Sequence, residues 1–276
     1  MQGRLDTLRF AWRWIVVLAV LLIPPEKSSA EDLTLGGTGT ALGTMRLLVQ
    51  QFTATNPDVS FEILCSLGSA GGIRALLAGA IDIAVSSRPI TDGERRLGAV
   101  ETEYARTPLV FAVSVKSTVT ALSSGELEQI YLGRMATWPD GSSVRLVLRP
   151  EGDTDTRIIG DISPAMRYAL ATAQTRPGVR FAVTDQEAAD DLERIPGAIG
   201  PISLAVVASE KRALRALTLD GQEPTPMNAA SGAYPHFKSL FLVTRARRSA
   251  AVERFVVFVR SAAVRDMLTS RGQWVP

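Results

Sequence analysis

The sequence predicts an α/β fold of two lobes, and three observations predict it. Two strand–glycine loop–helix units stand in series, over 33–52 and 60–80, which is the grammar of a mostly parallel sheet. Two apolar segments near 109–115 and 240–243 bracket a middle stretch with its own helices and strands, and they read as two crossover strands. The tail from Ser249 to Ser270 has helical spacing and returns to complete the first lobe. Lobe 1 is therefore expected over 31–112 plus 240–276, and lobe 2 over 113–239.

The first thirty residues read as a leader. Arg4, Arg9 and Arg13 precede an apolar run from Ile15 to Ile23, too short to span a bilayer. Pro24-Pro25 breaks the run, and Ser28-Ser29-Ala30 supplies small residues for cleavage after Ala30. An uncleaved N-terminal anchor is the alternative. This segment carries the whole formal charge of +2, so the remaining chain is neutral. A neutral chain is a poor match to nucleic acid, which is met by basic surfaces. Cys65 is the single cysteine, so no internal disulfide forms; it follows Phe61-Glu62-Ile63-Leu64 and is expected to be buried and inert.

In chain order, Leu33-Thr34-Leu35 is a short strand entering Gly36-Gly37-Thr38-Gly39-Thr40-Ala41. A helix follows, with Met45, Leu48, Val49 and Phe52 on one face, stopped by Asn56-Pro57-Asp58. Ser60–Cys65 is the next strand. Ser69 to Gly72 opens a second helix bearing Ile73, Leu76, Leu77 and Ala80, and Ile81, Ile83 and Val85 then alternate as a strand. That strand ends in Ser86-Ser87-Arg88. A helix start with free N–H groups favours anions, and two hydroxyls with a guanidinium beside it point to a small anionic ligand.

Farther on, a helix carries Leu127, Ile130 and Tyr131 and stops at Gly133; Trp138-Pro139-Asp140-Gly141 is a turn. Val144, Leu146 and Leu148 alternate and deliver Arg149 into Pro150-Glu151-Gly152-Asp153-Thr154-Asp155-Thr156. Ser163-Pro164 is a helix cap with proline at the first position, and Thr184 to Glu187 has capping-box spacing. The stretch 195–200 reads as a loop entering a strand over 202–207, and 217–221 as a hairpin arm.

A secreted hydrolase is poorly supplied. His236 is the only histidine, and no Gly-x-Ser-x-Gly elbow exists because position 67 is leucine. Metal chemistry is equally short of ligands.

Several of these segments together carry a family pattern. Gly37-Thr38-Gly39-Thr40, Gly68-Ser69-Ala70-Gly71-Gly72, Asp82 through Pro89, Leu127 through Gly133 with Trp138, Gly197-Ala198-Ile199-Gly200 and Tyr234-Pro235 resemble, in order and spacing, the periplasmic phosphate-binding proteins of ABC transporters. The tail from Phe255 through Ser261 to Gly272 is similar to that family too. The resemblance implies a two-lobed periplasmic-binding-protein fold with a ligand cleft between the lobes that closes on phosphate or a similar oxyanion, an exported monomer without cofactor, and a partner in an inner-membrane permease or a membrane sensor.

Carried over by position, the resemblance places the ligand contacts on Thr40 and Ala41, on Ser69, on Ser87 with Arg88, and on Arg149. The family's second-lobe signature, Arg, two residues, then Gly-Ser-Gly-Thr, keeps Arg149 and Gly152; Asp153, Thr154 and Asp155 replace the Ser-Gly-Thr. Two carboxylates beside a phosphate leave three outcomes open. One accepts a proton from a protonated oxyanion; both turn away to pair with Arg149, Arg157 or Arg88; or the ligand is not phosphate.

Overall fold

The computed structural model describes residues 30–276; the leader lies outside the described residues except for Ala30. The strands are β1 (Glu31–Gly37), β2 (Val59–Ser66), β3 (Ile83–Ser86), β4 (Ala99–Ser114), β5 (Ala121–Leu122), β6 (Arg145–Leu148), β7 (Arg180–Phe181), β8 (Ala198–Ser203), β9 (Leu214–Ala216), β10 (Thr218–Leu219) and β11 (Phe237–Arg245). The helices are α1 (Gly39–Thr55), α2 (Gly68–Leu77), α3 (Asp92–Arg96), α4 (Ser124–Tyr131), α5 (Thr154–Gly160), α6 (Pro164–Thr175), α7 (Asp185–Arg194), α8 (Leu204–Ser209), α9 (Pro226–Ser231), α10 (Ala250–Val259) and α11 (Arg265–Ser270).

The main sheet runs β2-β1-β3-β11-β4-β8-β6-β7, with β9 also on β4. β1 pairs in parallel with β2 and β3, and β6 in parallel with β7 and β8, while β11 and β4 run against their neighbours. Strand β4 joins the two halves. Its residues 99–108 pair with β11, and 109–114 pair with β8 and β9.

Each half has its own core on both faces, as buried parallel sheets require. In the first, Leu42, Met45, Leu48 and Phe52 of α1 and Phe255 of α10 cover one face, and Ile73 and Leu76 of α2 cover the other. In the second, β4 alternates with period two. Leu109, Phe111 and Val113 face Leu127 and Ile130 of α4 and Met166 of α6; Val110 and Ala112 face Ala188 and Leu192 of α7 and Val206 of α8. Two lobes thus follow from one strand whose pattern changes partner half-way.

Several local expectations change. The run at 202–207 splits into the end of β8 and the helix α8, because the apolar stretch Leu204–Val207 suits either period and Ala205 N–H is taken by the Thr107 hydroxyl (3.0 Å). The tail helix breaks into α10, a 3-10 turn at Ala262–Val264 and α11. Cys65 is exposed rather than buried. Leu35 sits opposite Ile63 but Gly37 opposite Ser66, so Gly36 faces two residues, Leu64 and Cys65. That bulge breaks the alternation that would have turned the thiol inward.

Candidate functional site

The C-terminal ends of β1, β2 and β3 face those of β6 and β7, and a cleft of about 330 Å³ opens between them. This is where open α/β sheets hold ligands. Close backbone approach shapes the first wall: a Cβ on Gly72 would lie 2.6 Å from Gly37 Cα, so only glycine lets α2 start this near β1. Four hydroxyls meet there. Ser87 N–H donates to Ser69 Oγ (2.9 Å), the Ser69 and Ser87 hydroxyls are 3.1 Å apart, and Thr38 and Thr154 each stand 3.4 Å from Ser87 Oγ. Thr154 belongs to the second half, so this cluster spans the cleft.

Arg149 follows β6 and is 4% exposed. Its Nη1 donates to Ala182 O (3.0 Å) and its Nη2 to Asp153 Oδ2 (2.8 Å). Asp153 also caps α5, accepting from Asp155 N–H (2.9 Å). Its two oxygens are therefore turned to a helix end and to a cation of its own loop. Asp155, on the first turn of α5, is buried beneath the cleft against Lys238.

Lys238, near the start of β11, was not among the residues singled out from the sequence. It lines the cleft while 2% exposed. Its ammonium abuts Asp155, donates to Thr40 Oγ1 (3.0 Å) and lies 3.6 Å from Asp185 Oδ1. Thr40 in turn donates to Asp185 Oδ1 (2.9 Å), and Arg149 Nη2 lies 3.7 Å from Asp185 Oδ2. Asp185, the first residue of α7 after its Thr184 cap, was also missed. The cluster holds Arg149 and Lys238 against Asp153, Asp155 and Asp185.

Burial and pairing set the protonation of this cluster. Burial would lower Lys238, but Asp155 and Asp185 outweigh it and hold its pKa above the ordinary lysine value. Burial also opposes the charge on Arg149, and Asp185, Asp153 and Asp155 reverse that effect. Burial pushes Asp155 up to about 6 even with Lys238 beside it. For Asp185, Lys238, Arg149 and the Thr40 hydroxyl overcome burial and hold the carboxyl below its usual range.

The expected contacts distribute as follows. Ser69, Ser87, Arg88, Arg149, Asp153 and Thr154 line the cleft. Arg88 does so with its guanidinium engaged: Nη1 and Nη2 donate to Glu94 at 2.9 and 2.7 Å, and Nη1 also to Pro89 O at 2.8 Å. The Arg88 hydrogen bonds hold Glu94 down to about 2. Thr40, Ala41 and Asp155 are buried beside the lining and do not form it. His236 is outside the lining too. It is half-buried, and its carbonyl accepts from Leu109 N–H (3.0 Å) where β11 begins beside β4. Among the described residues no group of His, Cys, Asp and Glu is arranged to hold a metal ion.

Residues 24–263 match the family model for the PBP superfamily domain. The chain belongs to the PBP superfamily. Curated relatives include phosphate-binding proteins PstS. That of Bacillus subtilis is 22% identical over 261 residues, covering 91% of this chain and 82% of the relative. That of Borreliella burgdorferi is 24% identical over 249 residues, covering 87% and 88%. The superfamily fold is also seen in solved structures. A Clostridium perfringens protein described as a phosphate ABC transporter substrate-binding protein, with bound phosphate, aligns at TM-score 0.75 and 20% identity over 89% of this chain and all of that one. An ABC-type phosphate transport receptor from Vibrio cholerae aligns at TM-score 0.61 and 19% identity, over 88% of this chain and all of the receptor. At these identities the structures support the fold.

Proposed function

We propose that this chain is an exported solute-binding protein that captures phosphate, or a closely related oxyanion, and presents it to an ABC-type permease in the inner membrane. The observation that carries this reading is the convergence of Ser69, Ser87, Thr154, Arg149 and Lys238 on one cleft between two half-sheets. Hydroxyl and charge-assisted N–H donors replace the water that a buried anion loses. The phosphate-binding names of the curated relatives point the same way. The expected partition into lobes, 31–112 with 240–276 and 113–239, belongs to this reading, as do cleavage after Ala30, a periplasmic location and a monomeric state. The protein binds without turnover, in keeping with relatives that are binding proteins.

The carboxylates refine the ligand. Asp155 pairs with Lys238 behind the lining, and Asp153 pairs with Arg149 at the lining itself. On this reading Asp153, the carboxylate of the lining, shares a proton with HPO₄²⁻ or its arsenate counterpart through an oxygen that keeps a second lone pair beside its bond to Arg149 or to the helix end, and it repels sulfate and molybdate. Calorimetry of protein freed of carried-over ligand, against phosphate, arsenate, sulfate and molybdate, tests the reading. Phosphate binding above sulfate is expected. Silence toward all four overturns it.

A further inference from the structure

We propose that Gly43 and Ser209 are positioning residues that set ligand affinity from outside the cleft, by fixing how closely the two lobes meet. The proposal rests on the oxyanion reading above only for its choice of probe. Helix α1 packs in the core of the first half, whereas α7 and α8 pack in the second, so a contact between them is a contact between lobes. Gly39 and Gly43 lie one turn apart on α1, on the same face. A Cβ on Gly39 would stand 2.5 Å from Gln186 Oε1 and 2.8 Å from Asp185 Oδ2. One on Gly43 would stand 2.3 Å from Ser209 Oγ, 3.2 Å from Ser209 Cβ and 2.9 Å from Glu210 Cγ. Rotating the serine hydroxyl away leaves the other two contacts in place.

Gly43 is otherwise a poor choice. It sits inside a 17-residue helix, where alanine is the better former, and its backbone is ordinary right-handed helix. Local stability does not explain it; the approach of the second lobe does. The seam also continues into the ligand site. Gln186 Nε2 donates to Gly39 O (3.2 Å) and to Glu210 Oε1 (2.8 Å), and the neighbouring Asp185 lines the cleft.

The seam carries an opposing force. Gln186 Oε1 and Ser209 Oγ are pressed against the glycines, buried from solvent and without a hydrogen-bond partner. A buried polar atom left unpaired is costly, and parting the lobes would return both to water. The glycines permit closure while the unpaired atoms resist it, so closure is left for the ligand to complete.

The test uses the mature protein with phosphate as probe, titrated by calorimetry, and small-angle scattering with and without phosphate. Gly43→Ala wedges the seam; phosphate affinity is expected to fall by roughly ten- to a hundredfold, with a radius of gyration that no longer shrinks on binding. Ser209→Ala removes an unpaired hydroxyl; affinity is expected to rise by about tenfold, with a more compact ligand-free state. Gly43→Ala/Ser209→Ala is expected to recover part of the loss, because the closest contact has gone. Gly43→Ala binding phosphate like the parent overturns the proposal, and so does weakened binding with unchanged compaction and no recovery in the double variant. Should the parent fail to bind phosphate, the oxyanion reading falls, and the ligand-free scattering of Ser209→Ala against the parent still decides the seam. Equal radii overturn the proposal on that arm alone. Ser209→Ala also carries the test if Gly43→Ala does not fold.

Discussion

Lys238→Met removes the one cation that stands between Asp155, Asp185 and Thr40. Methionine keeps most of the lysine stem's volume, so packing changes little and the loss is electrostatic. The parent ammonium is 2% exposed, abuts Asp155 and lies 3.6 Å from Asp185. Without it, the nearest cation to either carboxylate is Arg149, 3.9 Å from Asp155 and 3.7 Å from Asp185. Stripping one partner from a buried ion pair costs about 3–5 kcal/mol. For a chain of this size that is a fall in Tm of about 6–20 °C, at about 2–4 °C per kcal/mol. The loss depends on pH with a definite sign. In the variant both carboxyls lose a stabilising charge, so their folded pKa values rise. A raised carboxyl pKa adds stability at low pH and loses it as pH climbs through the folded value. Asp155 starts at about 6, so it is first to take a proton. The gap between variant and parent is therefore widest above pH 7 and narrows toward pH 5. Thermal melts followed by circular dichroism at pH 7.5 and 5.0 measure both quantities. A Tm change under about 3 °C at pH 7.5, or a gap that fails to narrow at pH 5.0, refutes the reasoning.

Other consequences can be measured on the same protein. Ser69→Ala removes a donor and the acceptor of Ser87 N–H, and calorimetry is expected to show phosphate binding weakened by about 1–3 kcal/mol. Asp153→Asn is expected to narrow the ratio of phosphate to sulfate affinity, while Asp155→Asn, altered behind the lining, leaves that ratio near the parent's; the reverse order would move the proton-sharing role to Asp155. Arg88→Ala is expected to cost less phosphate affinity than Arg149→Ala in the same titrations: both guanidiniums have protein partners, but the Arg88 side chain is 22% exposed and that of Arg149 4%, so water screens the Arg88 charge more. Asp155 has a raised folded pKa, so the parent's stability relative to Asp155→Asn is expected to increase as pH falls from 7 through about 6 toward 4; denaturant melts showing a flat or opposite trend would contradict the burial argument.

The parts of the site that could be read in the sequence are those whose position is local. Ser69 and Ser87 stand at the ends of a strand–loop–helix grammar, and that grammar fixes which face of the sheet they reach whatever the rest of the chain does. Arg149 was legible for the same reason, as the residue after an alternating strand. Arg88 was legible in place but not in partner. Glu94 belongs to a capping box with Thr91 and faces back onto the turn, where both of its oxygens accept from the Arg88 guanidinium. The split of 202–207 into strand and helix was beyond reach, because its apolar residues satisfy both periods and the choice falls to Thr107, far away in sequence.

Lys238 shows what a local reading leaves behind and what it could have caught. Taken alone, a lysine beside Phe237 and Ser239 is a solvated strand end. Strand parity says otherwise, since Lys238 alternates in step with Leu240 and Leu242, both wholly buried. A lysine on the buried face of a central strand needs a counter-charge, and the chain supplies two spare acids, Asp155 in the altered ligand loop and Asp185 beside a helix cap. Neither is near Lys238 in sequence; the sheet order, with β11 between β3 and β4, brings all three together. The aspartate that replaces a neutral residue of the family loop and the buried lysine therefore explain each other. Asp155 is tolerable beneath the proposed anion site because Lys238 neutralises it, and Lys238 is tolerable in the sheet because Asp155 and Asp185 hold it charged. Substituting both at once, as Lys238→Met with Asp155→Asn, should then cost less than the sum of the two single changes.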